Sequence, residues 1–213
     1  MSKVDCFNWD SAHFFGDALT AQAKLRYQRF IAELSWDVPS YNGMEFDQYD
    51  NPSAYYFVVR DATGKALACM RAAPTTLPYM LEEVFPHMVD GPLPKQDDVW
   101  EAHRLAVEPT LRGAARATAL NLVNYGLTEF ATRMGIKAFV GLLPEDLRKD
   151  LEKQVGWTLR PIGKPHLLDG LMTTCISNDI GPQTLSRVGQ ATGLSGSVLR
   201  LAPSDPLNER TAA

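Results

Sequence analysis

The chain has 213 residues and a mass of 23.6 kDa, a length that suits one domain, or one domain with a small appendage. Its 21 Lys and Arg residues against 25 Asp and Glu residues give a net charge of −4 and a pI of about 5.6. This mildly acidic balance gives no bulk electrostatic reason to bind nucleic acid or an anionic membrane, so we expect neither as a partner.

Cysteine and histidine usage bears on redox and metal chemistry. The three cysteines form no CxxC pair and the four histidines no HxH or HxxxH spacing, so we expect neither a disulfide framework nor a metal site. The N-terminus lacks the basic start and apolar core of a signal peptide, and the apolar runs are too short to span a bilayer. We therefore expect a cytoplasmic protein without a resident cofactor.

Apolar periodicity and the positions of Pro and Gly divide the chain into helices, strands and loops. In chain order the patterns predict a helix over 18–36, a loop over 37–53, a strand over 54–60, a turn over 61–64, a strand over 65–72, a short helix over 79–84, a loop over 86–98, a strand over 99–107, a helix over 112–134, a strand over 136–143, a helix over 144–155 and strands over 157–162 and 167–176.

This order of elements predicts a mixed sheet with helices packed over it, in an α/β or α+β domain. We place this single domain at 1–180 and assign 181–213 to a C-terminal extension whose final dozen residues form a frayed tail. The chain contains neither GxGxxG nor GxxxxGK followed by Ser or Thr. Hydride transfer at a Rossmann site and P-loop phosphoryl transfer are therefore disfavoured.

Arg26 and Phe30 lie four residues apart and so share a face of the first predicted helix, with Trp36 close after them. An arginine on an otherwise apolar face needs a counter-charge, because a buried unpaired charge is costly. Alternatively, Arg26 lies at the edge of the core, with its stem buried and its head in water. The pattern alone leaves both open.

The loop over 37–53 carries Asp47 and Asp50, three residues apart. They are either solvated loop carboxylates or caps for a turn. Alternatively, they are counter-charges for Arg26, Arg71 or Arg104 that fold the loop over a pocket, or anchors for a cationic ligand.

Glu101 and Arg104 lie three apart on the strand predicted over 99–107. Ideal alternation puts such positions on opposite faces of a sheet, unless a bulge re-aims one of them. Charged residues inside a central strand favour a functional site at this position.

Five segments follow one another along the chain: Arg26-x3-Phe30-x5-Trp36, Glu45-Phe46-Asp47-x2-Asp50, Cys69-x-Arg71-x2-Pro74-Thr75, Phe85 and Trp100-Glu101-x2-Arg104. In this order and spacing they resemble the acyl-homoserine-lactone synthase family, the LuxI-type autoinducer synthases of quorum-sensing bacteria. The resemblance runs over residues 26–104 and continues more weakly to about 177.

The resemblance implies a three-layer fold similar to the GCN5-related N-acetyltransferases (GNAT), with a twisted mixed sheet, splayed at its centre, and helices on both faces. It also implies that an acyl group passes from acyl carrier protein, or from acyl-coenzyme A (acyl-CoA), to the amino group of S-adenosylmethionine. The methionyl carboxylate then closes on its own side chain, releasing an acyl-homoserine lactone and methylthioadenosine. Acyl carrier protein is the donor that we expect.

The resemblance implies a catalytic set of Glu101, Arg71, Arg104, Asp47 and Asp50. The amine must lose a proton before it attacks a thioester, and Glu101 is the candidate base, directly or through water. Arg71 and Arg104 are expected to tie the acidic loop to the sheet.

An S-adenosylmethionine site is implied for Arg26, Phe30, Trp36 and Phe85. An arginine with aromatic rings suits a carboxylate and a flat base or a cationic sulfur.

The chain departs from the family pattern at His103, where members usually carry serine. Two interpretations stay open, a second proton acceptor and a neutral structural histidine. Where 3-oxo-acyl producers often carry threonine, this chain reads Leu142-Leu143-Pro144. We therefore place the acyl pocket at Val140, Leu142 and Leu143 and expect an unsubstituted or otherwise atypical acyl chain.

The segment Arg112-x2-Ala115-x-Ala117 loosely resembles the acetyltransferase pyrophosphate loop, which makes Arg112 and Arg116 candidates for binding the donor's phosphopantetheine. Together with Arg133 and Lys137 they form a candidate basic dock for an acidic carrier protein, or else an ordinary solvated face. The alternative function is a generic GNAT-type N-acyltransferase that uses acyl-CoA on another amine.

Overall fold

The computed structural model describes residues 3–209. The strands in this range are β1 (Val4–Phe7), β2 (Ser40–Tyr41), β3 (Met44–Glu45), β4 (Tyr55–Arg60), β5 (Ala66–Pro74), β6 (Val99–Val107), β7 (Ala138–Pro144), β8 (Leu159–Pro161), β9 (His166–Leu168), β10 (Leu171–Asp179) and β11 (Leu199–Arg200). The α-helices are α1 (Ala18–Arg26), α2 (Met80–Glu83), α3 (Gly113–Met134), α4 (Glu145–Val155) and α5 (Thr184–Thr192). A π-helix over Tyr27–Glu33 continues α1.

One mixed sheet runs in the order β11-β1-β4-β5-β6-β7-β10-β8, with β9 paired to β10, while β2 and β3 form a separate hairpin. Neighbouring strands are antiparallel except for β1 with β11 and β6 with β7. The parallel pairing of β6 with β7 ends at Glu101 and Val140, although both strands continue past these residues. The sheet therefore splays at its centre, as the resemblance implied.

Strand alternation assigns the side chains of β4 to two layers. Phe57 and Val59 enter a first core between the sheet and the helices α3, α4 and α5, whereas Tyr56 and Val58 enter a second core beneath α1. A third core lies beside β7 and β10 under α2. It comprises Tyr79, Leu81, Met88, Val140 and Cys175, with Phe85, Val89, Leu93, Val99, Leu142, Ile162 and Leu168 packed against it. The predicted fold class is confirmed.

Several short elements differ from the sequence prediction. The strand predicted over 167–176 is two strands, because Asp169 and Gly170, with φ of +47° and +78°, make a two-residue turn between β9 and β10. The first helix ends at Glu33 instead of residue 36, and the predicted loop over 37–53 contains the β2–β3 hairpin. The strands β1 and β11 and the helix α5 were not predicted.

The expected C-terminal extension over 181–213 contributes to the first core. Val188 of α5 is fully buried there, β11 pairs with β1, and Leu207 is 2% exposed. Residues 210–213 of the expected frayed tail lie outside the described residues.

Candidate active site

A β-bulge brings the charged side chains of β5 and β6 together. The pairing shifts between Cys69, which faces Ala106, and Arg71, which faces His103, so that two residues of β6 oppose one of β5. Arg104 lies in this bulge with a φ of +57°, a conformation that costs a non-glycine residue roughly 1–2 kcal/mol. The bulge re-aims Arg104 toward the acidic loop, which confirms one of the two alternatives left by the spacing of Glu101 and Arg104.

Three arginines and three carboxylates form a buried network, which we call the arginine–carboxylate cluster. Its members are Arg26 on α1, Arg71 on β5, Arg104 on β6, Glu45 on β3, and Asp47 and Asp50 in the following loop. No member's side chain is more than 9% exposed. With three charges of each sign, the cluster is electrically balanced. The counter-charge interpretation of the two aspartates is therefore confirmed.

Arg26 is completely enclosed by this cluster. Its Nη1 and Nη2 atoms donate to the two Asp50 oxygens at 2.8 and 2.9 Å, Nε donates to Glu45, and Gln22 accepts from Nη1 at 3.3 Å. The alternative of an arginine at the edge of the core is wrong, since the side chain is 0% exposed. The carboxylates that Arg26 binds in this structure are the chain's own, in place of the substrate carboxylate expected from the sequence.

Arg71 and Arg104 connect the acidic loop to the sheet, as expected. Arg71 Nη1 lies 2.6 Å from Asp50 and 2.7 Å from Asp47, and Arg104 reaches Asp47 at 2.7 Å and Glu45 at 3.1 Å. Burial alone would raise the pKa of Asp50, but the hydrogen bond from Arg26 and the charge of Arg71 outweigh it and hold that pKa well below its usual range. Asp50 is therefore ionised at neutral pH.

Glu101 lies beside this cluster without joining its ion pairs. Its carboxylate accepts the backbone N–H groups of Leu81 at 2.7 Å and Met80 at 3.1 Å, the first two residues of α2. Burial raises its pKa to about 7, against the opposing effect of these N–H groups and of the charges of Arg71 and Arg104. A carboxyl group with a pKa near neutrality is suited to act as a general base at neutral pH.

Aromatic side chains line the cluster on the α1 side. The rings of Phe30 and Trp36 stack with centroids 4.9 Å apart and an interplanar angle of 4°, and the Arg104 guanidinium lies 5.7 Å from the Phe30 centroid. Phe30 and Trp36 pack in the second core, whereas Phe85 packs in the third. The structure thus separates Phe85 from the other residues predicted to bind S-adenosylmethionine.

The residues predicted for the acyl pocket also divide between two cores. Val140 and Leu142 face the third core, while Leu143 packs against the first core on the other side of β7. Successive side chains of a strand point to opposite faces of the sheet, so Leu143 cannot share a pocket with Val140 and Leu142. Glu101 pairs with Val140 in the β6–β7 ladder, so the third core begins next to the candidate base.

The four basic residues predicted as a carrier-protein dock do not form one patch. Arg112 occupies the N-cap position of α3, and its guanidinium donates to Pro109 O and Leu111 O of the preceding loop. Arg133 lies in the last turn of the same helix, roughly 26 Å along its axis from Arg116, and binds Glu129 and Leu207 O. Lys137 follows this helix end, so the residues predicted as a dock lie at the two ends of α3.

Sequence reasoning missed several contacts of the site. Glu45 was read only as part of the family pattern, yet it binds both Arg26 and Arg104. Tyr56 donates its hydroxyl to Asp50 at 3.0 Å, and Tyr49 donates to Glu83 at 2.8 Å. The signal for Glu45 was its position two residues before Asp47, while the tyrosine contacts left no signal in the sequence.

Two further observations cover the part of the chain between residues 3 and 209. No helix there combines the length and the apolar character that crossing a membrane requires. No three His, Cys, Asp or Glu side chains there come together as a group able to hold a metal ion.

Comparison with known proteins identifies the family. The profile of the family described as "Autoinducer synthase" matches residues 16–176. The acyl-homoserine-lactone synthase of Ralstonia nicotianae is 31% identical over 175 residues, which cover 79% of this chain and 85% of that protein.

Solved structures agree with this match. BjaI, a CoA-dependent acyl-homoserine lactone synthase solved with SAM and isopentyl-CoA, has a TM-score of 0.85 and 25% identity, covering 97% of both chains. A structure from Lactobacillus plantarum assigned as an N-acetyltransferase shares the fold alone, with a TM-score of 0.56 and 14% identity, covering 84% of this chain and 99% of that one. The chain therefore belongs to the autoinducer synthase family, the acyltransferases that make acyl-homoserine lactones.

Proposed function

We propose that this chain transfers an acyl group from a thioester donor to the amino group of S-adenosylmethionine and that the product then closes to an acyl-homoserine lactone. The observation that carries the proposal is Glu101, a buried carboxyl with a pKa near 7. Glu101 lies between the arginine–carboxylate cluster and the apolar third core. This position suits a reaction that joins a polar amine to an apolar acyl chain.

In the first step the amine nitrogen attacks the thioester carbonyl carbon, the carbon–sulfur bond breaks and an amide forms. Glu101 takes the proton that the amine loses, and the departing thiolate receives a proton in turn. In the second step the methionyl carboxylate displaces the sulfonium at its own side chain, releasing methylthioadenosine. The arginine–carboxylate cluster contributes by fixing β3 and its loop against β5 and β6.

We place S-adenosylmethionine beside the stacked rings of Phe30 and Trp36, which offer a flat, electron-rich surface to its adenine or sulfonium. Arg26, Asp47 and Asp50 do not bind S-adenosylmethionine directly in this proposal. As members of the arginine–carboxylate cluster, they hold the acidic loop in place beside the site. We place the acyl chain in the third core, against Val140, Leu142 and Phe85.

We propose acyl-CoA as the donor, in place of the acyl carrier protein expected from the sequence. Two observations support this choice. BjaI, which covers 97% of this chain, is CoA-dependent and was solved with isopentyl-CoA. The four basic residues predicted as a dock for a carrier protein lie at the two ends of α3. Arg112 and Arg116 at its start stay candidates for the phosphates of CoA.

The test uses purified protein with S-adenosylmethionine and a panel of acyl-CoA and acyl-carrier-protein donors, with mass spectrometry of the products. We expect acyl-homoserine lactone and methylthioadenosine in equal amounts, with a higher kcat/KM for a short acyl-CoA than for the matched carrier-protein donor. The Glu101→Gln variant is the matched control and should bind S-adenosylmethionine in calorimetry while losing turnover. Absence of S-adenosylmethionine binding, together with acylation of another amine, would instead establish the generic N-acyltransferase.

A further inference from the structure

His103 occupies the space between Arg71 and Glu101. Arg71 Nε donates to His103 Nε2 at 2.7 Å, and His103 Nδ1 lies 3.1 Å from Glu101 Oε2. The contact with Glu101 is close but lies outside hydrogen-bond geometry, so Nδ1 is a buried atom with no hydrogen-bond partner among the described residues. The imidazole is buried. Arg71 and His103 are partners in the β5–β6 ladder, and Glu101, two residues before His103 on β6, lies on the same face of the sheet.

These contacts fix the tautomer of His103. An arginine carries donors only, so the Nε2 atom that faces Arg71 must present its lone pair. The single proton of the neutral ring is then on Nδ1, the ring nitrogen that lies 3.1 Å from Glu101 Oε2. A doubly protonated ring would set two N–H groups against each other. Burial, and after it the cations of Arg71, Arg104 and Arg26, also lowers the pKa of His103 well below its usual value.

This arrangement decides between the two interpretations of His103. Its one lone pair is engaged by Arg71, so the ring is not a second proton acceptor. We propose that His103 is a positioning residue, whose neutral ring accepts from Arg71 and donates from Nδ1 to Glu101, holding that carboxylate in its ionised form and in one orientation. This inference rests on the proposed function of Glu101 as the general base.

The other groups that face Glu101 leave this role to His103. Arg71 from β5 and Arg104 from β6 act on it by charge, without a direct hydrogen bond among the described contacts. Cys175 from β10 is neutral, because burial raises its pKa to about 12. The remaining facing groups are neutral or engaged elsewhere: Tyr49 with Glu83, Tyr79 with Pro94 O, and Glu82 with Lys95. His103 Nδ1 is thus the donor that lies 3.1 Å from Glu101 and that no other acceptor among the described residues engages.

The test separates the two hydrogen bonds of the ring with a pair of variants. In His103→Asn the amide nitrogen takes the position of Nδ1 and keeps a donor toward Glu101, while the acceptor for Arg71 is lost. In His103→Gln the amide oxygen reaches the position of Nε2 and keeps the acceptor for Arg71, while the donor is lost. Both variants remove the imidazole, so a merely space-filling ring predicts the same result for both.

The first readout is the titration of the Glu101 carboxyl, followed by NMR on protein labelled with carbon-13 at the glutamate carboxyl and assigned by the signal missing in Glu101→Gln. We expect His103→Gln to raise the Glu101 pKa by about one pH unit, because a hydrogen bond to the ionised form is lost, and His103→Asn to keep it within a few tenths of wild type. Equal titration in both variants, or a shift only in His103→Asn, would overturn the proposal.

The second readout is the acid limb of kcat/KM, which should move in parallel with the NMR titration. If the NMR titration shifts in His103→Gln while the acid limb stays in place, His103 positions Glu101 as proposed and the assignment of Glu101 as the base fails. The NMR readout needs no turnover, so it tests His103 even if the proposed acyl transfer is absent.

Discussion

At the scale of single residues, Glu101 stands under opposing influences. Burial favours its neutral form, whereas two backbone N–H groups and two nearby arginines favour the carboxylate. Its pKa rises from 4.5 to about 7, so the folded chain binds this proton more tightly than the unfolded chain does. Folding stability from this group is therefore present below pH 4.5 and is lost as the pH rises through 7. The same raised pKa that lowers folding stability at neutral pH gives Glu101 the proton affinity that a general base needs there.

The first prediction concerns the pH profile. We expect kcat/KM to fall about tenfold per pH unit below a midpoint near 7, because protonated Glu101 cannot take the amine proton. Initial rates of methylthioadenosine release between pH 5.5 and 8.5 measure this limb. The amino group of the substrate titrates as well. The pH dependence of the residual rate in Glu101→Gln, which lacks the carboxyl group, measures the contribution of the amine alone. An unchanged limb in that variant would contradict the assignment.

The second prediction concerns Asp50, which faces both Arg26 and Arg71. The substitution Asp50→Asn leaves two buried cations short of a counter-charge, and we expect it to lower the free energy of unfolding by about 3–5 kcal/mol at pH 7. Because the pKa of Asp50 is depressed in the folded chain, its contribution is present above about pH 4 and is lost on acidification. The difference between variant and wild type should therefore narrow as the pH falls below 4.

Urea denaturation at several pH values measures this difference. The matched control is Glu33→Gln, which removes an ion pair with Arg29 on the surface of the π-helix. Exposed pairs contribute at most about 1 kcal/mol, so the control should change little. Equal losses in the two variants would show that the buried cluster contributes no more than a surface pair.

The same residues mark what sequence alone could predict about the site. The charged residues of β5, β6 and the acidic loop were predicted from the family resemblance and from their spacing, and ion pairs between that loop and the arginines were one of the alternatives that the spacing left open. The direction of Arg104 was left open, because a bulge is set by how two strands pair and not by either strand alone. The two N–H groups that bind Glu101 belong to the backbone, which any residue supplies.

At the scale of elements, length decided what was predictable. The strand Val99–Val107 was predicted with its observed bounds, and the long helix α3 to within one residue, because each repeats its apolar pattern several times. The strands β1 and β11, of four and two residues, are too short to show a pattern and exist through pairing with each other and with β4. The helix α5 spans nine residues and has a clear apolar face, but that face consists mainly of Leu185 and Val188, a stretch too short to be recognised against the surrounding loops.

The third prediction concerns the segment that covers the third core. Gly163, just after β8, lies so close to Met88 O that a Cβ atom there would overlap it. We expect Gly163→Ala to displace the Pro86–Met88 turn, to lower stability by about 1–3 kcal/mol and to raise KM for the acyl donor. Gly181→Ala is the matched control, since a Cβ atom there meets nothing within 4 Å and its φ suits an L-residue. A KM for the donor that is unchanged in Gly163→Ala would argue against an acyl site in the third core.

At the scale of the whole molecule, the C-terminal segment completes the edge of the sheet. Glu129 of α3 accepts the backbone N–H groups of Val198 and Leu199, and Asp5 on β1 binds Arg60 and Arg200 on either side. These contacts join the first strand of the chain to the last one. The edge of β1 is thereby covered, and the first core is closed on that side.

The last prediction tests whether this closure contributes to stability. Leu207 falls in the tail that the sequence predicted to be frayed, yet its side chain is 2% exposed in the first core. Leu207→Ala therefore leaves a cavity and should lower the free energy of unfolding by about 2–5 kcal/mol. Leu167, which is 68% exposed on β9, supplies the control, because Leu167→Ala removes the same atoms from the surface and should change stability by no more than about 0.5 kcal/mol. Chemical denaturation of both variants measures the contrast. Equal and small effects would mean that the tail does fray and that the domain ends before it, whereas the expected contrast makes the C-terminal segment part of the same folding unit as the site.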